Sequence, residues 1–161
     1  MKKKNFQLEY TLVSSRKQLS APDQELLKQA LEAASKAYAP YSHFLVGAAA
    51  RLKTGQILSG SNQENASYPV GVCAERVLLG SIGAQFPEIP IETMAITYRT
   101  KKKKSDSPVS PCGMCRQALL EYENRVGHPI RLLLAGEKGD VLIIDSSRIL
   151  LPLAFESSHL K

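Results

Sequence analysis

The sequence predicts an α/β fold built in layers, and three observations carry that expectation. Segments with apolar residues at every second position alternate along the chain with segments of helical period. Glycine and proline punctuate the joints between them. The chain of 161 residues is also long enough for one core, since a domain of that size buries roughly 70% of its unfolded surface. No repeat and no long linker divides it. Residues 1–161 therefore read as a single domain, with 1–19 as an N-terminal extension carrying an extra strand.

Phe6, Leu8, Tyr10 and Leu12 alternate as in a half-buried strand. Ser20 ahead of Pro22 and Asp23 marks a helix start. Leu26, Leu27, Ala30, Leu31 and Ala34 form that helix's apolar face, and Tyr38-Ala39-Pro40-Tyr41 ends it. Residues 44–52 and 56–61 flank Lys53-Thr54-Gly55 as a hairpin. Cys73 to about Gln85 is helical in period and is closed by Pro87 and Pro90. Ile91 to Tyr98 reads as a strand, and 99–111 as a polar loop. Cys112 to about Asn124 forms a helix. Two strands follow at 130–135 and 140–145, joined through Gly136 and Gly139, and Ser146 to Leu151 forms a short last helix.

Composition excludes several classes. No apolar run approaches the ~20 residues of a membrane span. Lys2 to Lys4 start like a signal peptide, but polar residues alternate through the segment that follows, which argues against export. The net charge of +6 suggests nucleic acid. Yet Lys2–Lys4 and Lys101–Lys104 hold seven of the 21 positive charges, leaving 14 against 15 elsewhere. The basicity sits in a tail and one loop, so nucleic-acid binding ranks second.

Three cysteines cannot all pair with one another, so Cys112-x-x-Cys115 with Cys73 upstream reads as metal or redox chemistry. Both segments open a helix, where free N–H groups favour thiolates. Cysteines three apart in a first turn lie on one side of it. With Cys73 they make three ligands and one open position, the catalytic zinc pattern. Glu75 stands two residues after Cys73, close enough to move protons without binding the metal. Taken singly, Glu75 is an ordinary first-turn glutamate complementing the helix dipole, and the C-x-x-C an ordinary dithiol. Neither plainer reading explains why the glutamate and the third cysteine stand together.

Cys73-Ala74-Glu75-Arg76 and Pro111-Cys112-Gly113-Met114-Cys115-Arg116-Gln117 resemble the small, all-cysteine class of cytidine deaminases. Residues 38–48, 62–68 and the ending Leu150 to Phe155 match as well, so the resemblance covers about Leu26 to Phe155. It implies a three-layer cytidine-deaminase-like fold with a mixed central sheet flanked by helices. It also implies one Zn²⁺ per subunit on Cys73, Cys112 and Cys115, with Glu75 as the proton shuttle. Asn62 and Glu64 would hold the ribose, Phe44 would pack on the pyrimidine, and the Ala74 N–H would contact O2. Arg76 would hydrogen-bond the thiolates. Tyr68 and Phe155 would reach a neighbouring subunit's site in a homotetramer. The implied reaction is hydrolytic deamination of free cytidine or deoxycytidine in cytoplasmic pyrimidine salvage, with no membrane partner.

Each residue keeps a plainer reading: Phe44 as core, Asn62 as a turn residue, Glu64 as a surface charge, Arg76 as a solvated helix residue. His43, His128 and His159 match no ligand spacing. Three alternatives stand beside the nucleoside reading: a deaminase of another cytosine compound such as blasticidin S, a nucleic-acid cytosine deaminase, and a zinc-stabilised binding module. The chain departs from the family at Val77, where threonine is common. Its connection before Pro111 is also longer and more basic, and its N-terminal strand is extra.

Overall fold

The computed structural model describes residues 1–101 and 104–160. Six strands form one sheet in the order β1-β6-β5-β4-β2-β3. They are β1 (Thr11–Val13), β2 (Phe44–Leu52), β3 (Ile57–Ser61), β4 (Ile91–Thr100), β5 (Arg131–Ala135) and β6 (Val141–Ile144). The sheet is mixed: β4 and β5 run parallel, while the other neighbours are antiparallel. The parallel pair needs a crossover, and α3 (Gly113–Val126) supplies it. Helices α1 (Ala21–Ala34) and α2 (Ala74–Gln85) complete the frame.

Alternation sends successive strand residues into two separate cores. Met94, Ile96, Leu132 and Leu134 pack with Leu78, Ile82 and Leu119 of α2 and α3. Ala95 and Leu133 point the other way, onto Leu26, Leu27 and Ala30 of α1. The sheet is therefore the middle of three layers, as the resemblance implies. Burying each of these leucines contributes about 1.5–3 kcal/mol. The α1 layer sits tight on β2 at Gly47, where a Cβ would meet the Ala30 carbonyl at 2.0 Å and the Ala34 nitrogen at 2.4 Å.

Helix starts follow the sequence signals. The Ser20 Oγ accepts a hydrogen bond from the Asp23 amide (3.3 Å), and Pro22 lies in the first turn. Cys73 and Cys112 are the N-cap residues of α2 and α3, and neither side chain caps its helix.

One element departs from expectation. The strand expected over Phe6 to Leu12 is only Thr11–Val13, and Phe6, Tyr10 and Leu12 are each more than half exposed. The cause is its partner. β6 ends at Ile144, opposite Tyr10, and the chain then turns into a 3-10 helix at Ser147–Leu150, so residues upstream of Tyr10 have no ladder to join. The exposed tail contributes to a surface of 9471 Å², against about 7,900 Å² for a compact chain of this mass.

That turn is held by Glu123, which is buried and, among the described residues, forms no ion pair. Its Oε1 accepts from the amides of Ile130 and Ser147 and from the Ser147 hydroxyl, each at 2.8 Å. The Ser146 hydroxyl adds contacts at 3.1 and 3.2 Å. Glu123→Ala should leave the buried Ile130 amide unpaired, while the Ser147 amide keeps the Ile130 carbonyl at 3.0 Å, and lower stability by about 1–3 kcal/mol, read by urea unfolding. A loss under about 1 kcal/mol would show that water replaces the carboxylate.

The N-terminal segment and Lys101 join the sheet at its opposite ends. Residues 1–10 leave β1 at the end where Thr11 pairs with Ile143, whereas Lys101 follows the C-terminal end of β4. From Thr100 the loop folds onto the β5–β6 turn. The Ser105 hydroxyl accepts from the Thr100 amide (3.1 Å), and the Ser105 carbonyl from the Lys138 amide (3.1 Å). Gly139, at φ +80°, admits the Asp106 carbonyl where a Cβ would stand. Lys102 and Lys103 of the expected run lie outside the described residues.

Candidate active site

At the C-terminal end of β4, the starts of α2 and α3 converge on a cavity of about 350 Å³. Six expected residues line it: Phe44, Asn62, Glu64, Cys73, Glu75 and Cys112. Open α/β sheets bind ligands at such an end, outside the carboxyl termini of their strands.

Cys73 and Cys112 belong to its wall, while Cys115 is fully buried and outside the lining. Cys73 Sγ lies 3.8 Å from Cys112 Sγ, Cys112 Sγ lies 3.5 Å from Cys115 Sγ, and all three fall within 4.8 Å. A tetrahedral zinc ion with bonds of about 2.3 Å sets its sulfurs about 3.8 Å apart, so the trio fits such an ion. The Cys73 thiol is pulled down to about 6, first by a hydrogen bond from Cys115, against burial and the Glu75 charge. Cys115 is pushed up by that shared proton and by burial. Three sulfurs this close cannot all ionise without a cation among them.

Glu75 is 4% exposed, in the first turn of α2. Burial raises its pKa, while its own backbone amide and the Cys115 thiol act the other way. Ala74 is fully buried as the first residue of α2, where a helix amide has no intrahelical acceptor.

The polar wall is more structural than its motif suggests. Asn62 Oδ1 accepts from the Val46 amide (2.8 Å), and its Nδ2 donates to the Phe44 carbonyl (3.0 Å). One N–H and one lone pair of the amide remain for a ligand. Glu64 Oε2 accepts from the amides of Tyr41 (2.9 Å) and Ser42 (3.2 Å). Burial opposes ionisation of Glu64, but the Ser42 hydroxyl and these two amides outweigh it and hold the carboxyl below its ordinary range.

Five expected residues lie outside the lining: the buried Ala74 and Cys115, and Tyr68, Phe155 and Arg76. Tyr68 is 74% exposed and pairs with Tyr41 at 5.8 Å, above an adjoining cleft. Phe155 is 58% exposed and stacks on His159. Arg76 lines a groove between α2 and α3, and among the described residues it hydrogen-bonds no sulfur. Its charge still helps to lower Cys73. The sequence reading missed Ser42, Val46, Ile96, Val109 and Ser110, which complete the lining. Strand period and adjacency to Pro111 were the available signals for Ile96 and for Val109-Ser110.

Comparison with known proteins gives consistent matches. Residues 20–127 match the family model for the cytidine and deoxycytidylate deaminase zinc-binding region. A cytidine deaminase of Halalkalibacterium halodurans is 37% identical over 137 residues, covering 85% of this chain and 96% of that protein. A blasticidin-S deaminase of Bacillus cereus is 37% identical over 106 residues, covering 65% and 75%. The crystal structure of a cytidine deaminase from Burkholderia pseudomallei superposes with a TM-score of 0.72 at 37% identity, over 85% of this chain and all of that one. Among the described residues, no helix is long and apolar enough to cross a membrane.

Proposed function

This chain belongs to the cytidine and deoxycytidylate deaminase family, and from that premise we propose that it hydrolyses free cytidine and deoxycytidine to uridine and deoxyuridine, releasing ammonia. The observation that carries the proposal is one cavity lined by the buried Glu75, by Cys73 and Cys112 of the sulfur trio, and by the polar Asn62 and Glu64.

Cys73, Cys112 and Cys115 would hold zinc, one ion per subunit. When bound, zinc supplies Lewis-acid activation of water at neutral pH. Glu75 then does the proton work. Its carboxylate takes a proton from the attacking water and delivers it to ring N3 as the C4–O bond forms. It next carries the proton of the new C4 hydroxyl to the exocyclic nitrogen, so that the C4–N bond breaks, C4=O forms and ammonia leaves. Phe44 faces the pyrimidine ring, and the Ala74 N–H meets O2. Asn62 and Glu64 offer their remaining polar atoms to the ribose hydroxyls. Arg76 offsets part of the negative charge on the thiolates.

The whole chain acts as one catalytic domain. The exposed rings of Tyr68 and Phe155 support a homotetramer in which each site borrows residues from its neighbours. A site of three reduced thiols suits a reducing compartment, which supports a cytoplasmic role in pyrimidine salvage. The test is direct: purified protein should convert cytidine to uridine, followed by the ultraviolet change. Turnover of blasticidin S without turnover of cytidine would move the substrate to that second compound, a reading the Bacillus cereus relative favours.

The basic loop separates nucleosides from nucleic acid. Replacing Lys101, Lys104 and the two lysines between them by serine should change cytidine turnover less than twofold, because cytidine is uncharged. A grip on phosphates would instead show as weaker single-strand binding, with a salt slope smaller by about 0.7 for each phosphate no longer neutralised. Wild-type preference for an oligonucleotide over cytidine, abolished in the serine variant, would overturn the nucleoside reading.

A further inference from the structure

Phe44 lines the cavity, but its ring does not stand alone. It stacks on Tyr98, with centroids 4.7 Å apart and planes 18° from parallel. Tyr98 is 3% exposed and is not part of the cavity lining. The strand register explains the meeting. Tyr98 lies opposite Val46, and Thr100 opposite Phe44. The two rings are therefore diagonal neighbours on one face of an antiparallel pair, within aromatic reach.

Phe44 needs such support. It is the first residue of β2, where sheet constraint begins, and its ring is only half-buried. Its amide is held by the Ser42 hydroxyl at 3.0 Å. His43 before it takes the left-handed backbone, φ 56°. An aromatic side chain in that setting has rotamer freedom that a ligand must freeze. Tyr98 removes it beforehand, because a near-parallel partner behind the ring favours one ring plane.

We infer that Tyr98 is a positioning residue for the base: it holds Phe44 as a preformed flat wall, so that the pyrimidine binds without reordering it. The inference rests on the reading that Phe44 meets the pyrimidine. Its effect falls on binding and leaves proton transfer at Glu75 untouched.

The test compares Tyr98→Met, which fills the space without a ring, with Tyr98→Phe, which keeps the stack. Tyr98→Met should raise KM for cytidine roughly 2- to 12-fold, the range that aromatic pairing commands. Its kcat should stay within twofold, and uridine affinity by calorimetry should weaken by the same factor as KM rises. Tyr98→Phe should restore both. Phe44→Leu and the double variant close a cycle: if Tyr98 acts through Phe44, adding Tyr98→Met to Phe44→Leu costs nothing further in KM. Should Tyr98→Met not accumulate as zinc-loaded protein, Tyr98→His is read instead, and its smaller ring should give a KM between wild type and Phe44→Leu. Unchanged KM, a loss confined to kcat, or multiplicative losses in the double variant would overturn the inference while leaving the deaminase reading intact. Wild-type protein that turns over no cytidine would remove both.

Discussion

Glu75→Gln should keep its zinc and its fold yet lose nearly all turnover. The glutamine is nearly isosteric and can still accept the hydrogen bonds of the first turn of α2, so packing against the fully buried Leu78 and Ala74 should survive. What disappears is a group that can take and give a proton. General acid–base groups contribute roughly 10²–10⁴-fold each. Glu75 is asked to act at least twice in one turnover, so the loss should reach the upper end of that range or exceed it. Metal analysis beside single-turnover kinetics separates the possibilities. Turnover within tenfold of wild type would remove Glu75 from the chemistry. Lost zinc would move it into the metal shell.

The second large effect is expected at the sulfurs. Cys112→Ala and Cys115→Ala should each lose zinc and unfold at lower temperature, because binding energy at such a site is also folding energy. The geometry sets a scale. Cys73 and Cys112 are 39 residues apart in sequence, and between them run all of α2 and β4. Joining two such points restricts the unfolded chain by about 4 kcal/mol on the loop-entropy relation used for cross-links. That corresponds to roughly 8–16 °C in Tm for a domain of this size. Removing zinc from wild-type protein with a chelator should produce a similar shift. A cysteine variant with full zinc occupancy and unchanged Tm would show that its sulfur is not a ligand.

The contents of the cavity were legible in the sequence wherever chemistry and spacing coincide. Cys73, Glu75, Cys112 and Cys115 sit at two helix starts whose boundaries fall within a residue or two of expectation, because apolar period and flanking prolines mark them. Asn62 was less legible. Its motif points to a ligand, yet in the fold half of its amide is engaged with the β2 backbone, a partner 16 to 18 residues away that local pattern does not encode. Tyr98 was legible only as a core residue of β4. Period two places it on the same face as Ile96, but only the β2–β4 register brings its ring to Phe44. The N-terminal strand failed for a different reason. Alternation reports that a segment suits a sheet edge and says nothing about how long a partner awaits it, and β6 has four residues.

That short partner has a consequence for how the protein behaves in a concentrated solution. Phe6, Leu8, Tyr10 and Leu12 alternate in the sequence leading into β1, are all exposed, and β1 is an edge strand of the sheet among the described residues. Such a row is a template for another chain, and natural edges are guarded by charge, lysine above all. Lys2, Lys3 and Lys4 stand immediately ahead of it. Two copies approaching edge to edge must bring these triplets together or set them against each other's apolar row. Lysines in that position oppose such pairing, and repulsion of this kind is strongest in dilute buffer, where the screening length is about 30 Å at 0.01 M, and weakest at 1 M, where it is about 3 Å.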